Sequence, residues 1–106
     1  MVMAGLGGVF IEILEDVTFE LAPFGRAEAR AMLQRLRGYP LLTGARGAAP
    51  ADVDALADAL VRLSEFAAAN AATLASVDIN PLLVMPAGQG LAAVDAVVLS
   101  KDDAHA

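Results

Sequence analysis

Asp78 and Asn80 stand two positions apart in residues 77–84 (VDINPLLV), and Asp95 follows fifteen positions after Asn80. On an extended strand, residues two apart leave the same face. A hairpin turning at residues 86–90 (PAGQG) would fold residues 91–99 back beside the first strand, so the three oxygen-bearing side chains could converge. Two carboxylates and an amide oxygen are the hard donors that magnesium takes. It usually accepts one or two from protein and fills its octahedron with water and nucleotide phosphates. The same residues also suit a structural role, with Asp78 and Asn80 as turn and capping residues before Pro81 and Asp95 exposed on an edge strand. Against that role, Asp95 lies between Val94 and Ala96 in an otherwise apolar run, where a carboxylate is costly unless paired, solvated or metal-bound.

Three further features bear on chemistry. Gly5, Gly7 and Gly8 precede an apolar strand. Glycines let backbone amides approach phosphate, but with a strand rather than a helix following, neither dinucleotide nor P-loop geometry applies, and flexible entry is the competing reading. Thr43 to Gly47 (TGARG) sets a hydroxyl and the Arg46 guanidinium on a glycine loop, which suits phosphate or carboxylate as well as plain solvent exposure. Glu12, between Ile11 and Ile13, is either functional or a marker of the solvent side. No cysteine is present and the one histidine is His105, so no Ser-His-Asp or Cys-His nucleophile can be assembled and no catalytic residue is assigned.

These residues need elements to hold them. Period-two alternation predicts strands over 9–14 and 17–22, joined at Glu15 and Asp16 as an antiparallel hairpin that Pro23 ends. Ala29, Met32, Leu33 and Leu36 fall at helical spacing within 26–37, before Gly38 and Pro40. Residues 39–50 (YPLLTGARGAAP) read as a long loop. A second helix runs from near Pro50 to about Asn70, with Asp52 and Asp54 in its first turn, a core stripe of Val53, Leu56, Leu60, Val61, Leu63 and Phe66, and Asp54, Asp58, Arg62 and Glu65 opposite. Residues 77–84 are a strand interrupted by Pro81, which favours an edge or a bulge, and 91–99 its partner. The order strand, strand, helix, helix, strand, strand predicts an α+β layer in which two helices cover one antiparallel sheet. Residues 1–100 form one domain and 101–106 a polar tail.

At 106 residues, 58% of them apolar, the chain can build one core. A formal charge of −6 repels nucleic acid and anionic lipid, so an anionic ligand must be held locally by metal or backbone amides. No run reaches the roughly 20 apolar residues of a membrane span, and residues 1–10 lack the basic start of a secretory signal. A soluble, cytoplasmic protein is expected. The alanine-rich composition leaves a homo-oligomeric interface open.

Together, residues 5–23 (GLGGVFIEILEDVTFELAP), 36–47 (LRGYPLLTGARG) and 78–84 (DINPLLV) with Val94-Asp95-Ala96 resemble the ATP-grasp domain of the NDP-forming acyl-CoA synthetases. These are the ADP-forming acetate–CoA ligases, with succinyl-CoA synthetase more distant. The resemblance spans residues 2 to about 99, with the motifs in the family's order. It implies magnesium ligation by Asn80 and Asp95, with Asp78 near the metal, and it sets Gly7, Gly8 and Glu12 in a Gly-Gly-Val-x-x-Glu element beside the nucleotide. The implied ligands are Mg and ATP or ADP. Glu20 stands where the family has an arginine, a charge reversal, and Gly25 where a Thr or Ser cap is usual. The resemblance covers only the second of the two subdomains that enclose an ATP-grasp site. The other half, a CoA-binding domain or subunit and the phosphate-carrying histidine would come from a partner, and His105 does not replace that histidine. The competing expectation is a non-catalytic dimerisation or regulatory module that kept the fold; fusion to an acetyltransferase domain is a further possibility within the resemblance.

Overall fold

The computed structural model describes residues 2–5, 17–44, 50–79, 82–93 and 96–101. In chain order the elements are strands β1 (Val2–Gly5) and β2 (Val17–Glu20), helices α1 (Arg26–Gln34), α2 (Tyr39–Leu42) and α3 (Val53–Ala69), and strands β3 (Leu74–Ile79), β4 (Leu82–Val84), β5 (Leu91–Ala93) and β6 (Ala96–Ser100). Among the described residues strand pairing is antiparallel: β1 with β2, β3 with β6, and β4 with β5. The architecture is α+β, and the ladders described are three two-stranded ones rather than one continuous sheet. The strand expected over 9–14 lies outside the described residues. The partner of β2 among the described residues is β1, a strand the sequence pattern does not predict.

Alternation decides which face of the first ladder is covered. Met3 lies opposite Phe19 and Ala4 opposite Thr18. Val2 and Thr18 are buried while Met3 and Phe19 face outward, as period two demands. Onto the covered face pack α1 and α3. All four residues anticipated for the core of the first helix, Ala29, Met32, Leu33 and Leu36, are buried. Small residues set the close approach of the helices, with Ala29 and Ala57 both fully buried. The α3 stripe differs from expectation at its end, since Phe66 is exposed and Ser64 is fully buried. Ser64 fits because its hydroxyl accepts the Phe24 N–H at 3.2 Å and donates to the Val61 carbonyl at 2.7 Å, so no polar group is stranded.

The two helices run antiparallel with a ladder of ion pairs along one edge, Arg26 to Asp58 and Arg30 to Asp54. The acidic face of α3 is therefore in part a partner for α1. Glu20 also has a local partner. Arg35, at the end of α1, donates to the Phe19 carbonyl at 2.8 Å and to Thr18 Oγ1 at 3.2 Å, and lies 3.5 Å from Glu20 Oε2. At Gly25 the backbone N–H donates to the Glu28 carboxylate at 3.2 Å, which is one half of a capping box, with no side chain to supply the other. The cis Ala22–Pro23 bond leads from β2 into this helix. The long loop anticipated over 39–50 contains α2, a single turn that Pro40 can start because its missing N–H is not needed there. No helix among the described residues is long and apolar enough to cross a membrane.

Candidate functional site

The expected site residues fall largely outside the described residues. Gly7, Gly8, Glu12, Arg46, Asn80 and Asp95 all lie there, and of Asp78 only the backbone is described, in β3 opposite Val97. What the structure supplies is the frame that carries them. Gly5 pairs with Val17, so the eleven residues 6–16, with Gly7, Gly8 and Glu12, leave and re-enter the fold at one point. The five residues 45–49, with Arg46, are closed in the same way. Gly44 precedes them at φ 102°, a left-handed conformation suited to glycine, and beyond them the Ala51 N–H donates to the Leu42 carbonyl at 2.8 Å.

The frame around Asn80 and Asp95 is the most informative. Ile79 pairs with Ala96 on one side, and Leu82 pairs with Ala93 on the other. Two residues thus separate the ladders on each side, 80–81 in one arm and 94–95 in the other, and the pairs from Ser76↔Leu99 to Val84↔Leu91 keep a single register. Among the described residues no group of three His, Cys, Asp or Glu side chains could hold a metal. A cleft between α1, α2 and the start of α3 is lined by Arg30, Gln34, Tyr39, Thr43 and Asp54, but its arginine is already paired with its aspartate, so it has little charge to spare for an anion.

One carboxylate that sequence reading placed only in a helical first turn does more. Asp52 caps α3, its Oδ1 accepting the Ala55 N–H at 3.1 Å, while Oδ2 accepts the Gly90 N–H at 2.7 Å across 38 positions of sequence. The hydrogen bond from Gly90, then that from Ala55, hold its carboxyl below the ordinary carboxylate range, against the opposing effect of desolvation. Backbone bonds reinforce the joint: the Asp52 N–H donates to the Met85 carbonyl at 2.7 Å and the Ala87 N–H to the Pro50 carbonyl at 2.9 Å. The anticipated turn at 86–90 closes with Gln89 N–H on the Pro86 carbonyl at 2.9 Å. Gly88 and Gly90 take φ of 84° and 80° there, which is why glycines occupy both places. An Asp just ahead of an apolar helix signals a cap, but nothing local signals Gly90 as its second partner.

One antiparallel ladder packed under two helices, with two further antiparallel ladders on either side of residues 80–81 and 94–95, defines an α+β module. Residues 1–99 match the family model described as ATP-grasp domain, and the chain belongs to that family. Its relatives are acid–CoA ligases. It is 41% identical over 100 residues to the beta subunit of acetate–CoA ligase [ADP-forming] II of Pyrococcus furiosus, covering 94% of this chain and 42% of that subunit. It is 43% identical over 88 residues to acetate–CoA ligase [ADP-forming] I of Archaeoglobus fulgidus, covering 83% of this chain and 13% of that protein. Among solved structures it resembles the dinucleotide-forming acetyl-coenzyme A synthetase 1 of Ca. Korarchaeum cryptofilum in complex with coenzyme A and Mg-AMPPCP. The TM-score is 0.86 at 39% identity, over 93% of this chain and 45% of that one. The chain thus corresponds to the ATP-grasp region of ADP-forming acetate–CoA ligases and spans less than half the length of these relatives.

Proposed function

We propose that the chain supplies the magnesium and ATP-binding face of an NDP-forming acyl-CoA synthetase. The observation that carries this reading is the shared register of the ladders flanking 80–81 and 94–95, taken with membership of the ATP-grasp family. The donor set fits the ion, since Asn80, Asp95 and Asp78 offer only hard oxygens. Asn80 and Asp95 hold the metal, with Asp78 close by, and Gly7, Gly8, Glu12 and Arg46 serve the nucleotide. Bound magnesium neutralises phosphate charge and orients the transferred group.

The whole enzyme would interconvert an acyl-CoA, ADP and phosphate with the free acid, CoA and ATP in the cytoplasm. Residues 1–100 act as one domain, with 101–106 as a tail. The reaction also needs the other ATP-grasp half and a CoA-binding domain or subunit, so residues 1–106 by themselves perform no turnover. A homo-oligomer is compatible with this arrangement. Glu20, whose reversed charge pointed toward a non-catalytic dimerisation or regulatory module, is matched by Arg35 within the chain, so that alternative loses one of its supports.

Calorimetric titration with ATP and magnesium, with the complementary region present, tests the reading. Asn80→Ala and Asp95→Ala are each expected to weaken magnesium-dependent nucleotide binding by about tenfold or more, the scale of one lost charged or coordinating contact at about 1.4 kcal/mol. Wild-type chain that binds no nucleotide under these conditions is a non-catalytic module.

A further inference from the structure

We propose that Asp52 is a positioning residue for the magnesium–nucleotide site, an inference that rests on the function proposed above. A helix cap needs one acceptor oxygen. Asp52 uses that one on Ala55 at 3.1 Å and spends the other on Gly90 at 2.7 Å, the shorter bond being the one that serves no helix. Its position makes this bond consequential. Pro50 and Ala51, just before it, close the excursion that carries Arg46, while Met85 and Gly90 close the hairpin whose far end meets the intervals holding Asn80 and Asp95. From the joint to those intervals is three residues of strand, about 10 Å at the usual rise. Asp52 therefore sets the separation between the segment bearing the guanidinium and the one bearing the metal ligands. The antiparallel Ala51↔Pro86 bridge, made by the Asp52 N–H to Met85 carbonyl and Ala87 N–H to Pro50 carbonyl bonds, attaches the joint beside the carboxylate, so that it resists rotation as well as stretching.

The test separates the cap from the tie. Asn caps helices as well as Asp does, but its amide offers one acceptor oxygen where two N–H donors converge, so D52N keeps the shape and breaks one bond. D52S keeps an acceptor for the cap and cannot reach Gly90, which covers the case in which D52N folds poorly. In both variants amide hydrogen exchange at Gly90, Met85 and Ala87 is expected to accelerate by about tenfold or more, with α1 amides unchanged. With the complementary region present, the Kd for Mn-ATP, read by water-proton relaxation, is expected to rise by about tenfold, while that for metal-free ATP moves less than about twofold. Unchanged exchange at Gly90 overturns the joint whatever the nucleotide does. Faster exchange with unaltered Mn-ATP affinity, or an equal loss with and without metal, reduces Asp52 to architecture and overturns the proposal. If the wild-type chain binds no nucleotide, the function proposed above fails and takes this role with it, the exchange data still reporting the tie itself.

Discussion

Asp52 ties acid stability to a particular place in the molecule. Its carboxyl is held below the ordinary range by backbone N–H donors, first Gly90 and then Ala55. The folded state therefore binds this proton less readily than the unfolded state, whose Asp titrates near 3.9. The stabilisation is fully present above that unfolded value and is lost as pH falls through the lower folded one. Below about pH 4 the hairpin amides should lose protection before the helical core does, and the D52N variant should show a flatter acid limb in the same measurement. Residue types alone single out Asn80 and Asp95 as candidate ligands, because an amide and an acid in apolar runs of sequence suit an oxygen-seeking ion. They did not reveal the second bond of Asp52, because hydrogen-bond geometry over 38 positions leaves no local trace. The acidic side chain of Glu20 was visible, whereas its partner Arg35 needed the packing of α1 on β2.

The α1–α3 pair shows how elements divide the work. Apolar burial holds the helices together, and the flanking Arg–Asp pairs, about half exposed, add at most about 1 kcal/mol each. Met32 is fully enclosed between the helices and the first ladder. Met32→Ala is expected to lower unfolding free energy by about 2–5 kcal/mol, measured by urea denaturation with the m-value unchanged. Helices were legible here because their apolar spacing persists for several turns, although the first ends at Gln34, short of the Gly38 stop, and Gly38 instead precedes α2. The misses are short or terminal. Strand β1 has four residues including a glycine and shows no readable alternation; α2 hides behind Pro40; and Phe66 leaves the core because Ser64 takes the inward place in its turn.

The molecule as a whole is elongated, 47 × 29 × 23 Å, and unevenly packed. The enclosed residues gather around α1, α3 and the first ladder, whereas Val97, Val98 and Leu99 of β6 are 48%, 56% and 41% exposed although they are successive residues pointing to alternate faces. Local stability should follow that gradient. Native-state hydrogen exchange is expected to show the slowest amides in α1 and the middle of α3 and markedly faster ones along β6; uniform protection would contradict it. The two intervals in the strands also act as a length gauge. Because one register runs from Ser76↔Leu99 to Val84↔Leu91, deleting a single residue from 80–81 would put Leu83 and Val84 on the wrong sides of their strand. Trimming one from each arm would restore the pairing but still invert the faces. The hairpin can therefore be lengthened or shortened here only on both arms at once and only in steps of two, a parity rule that insertion and deletion scanning of this region would expose.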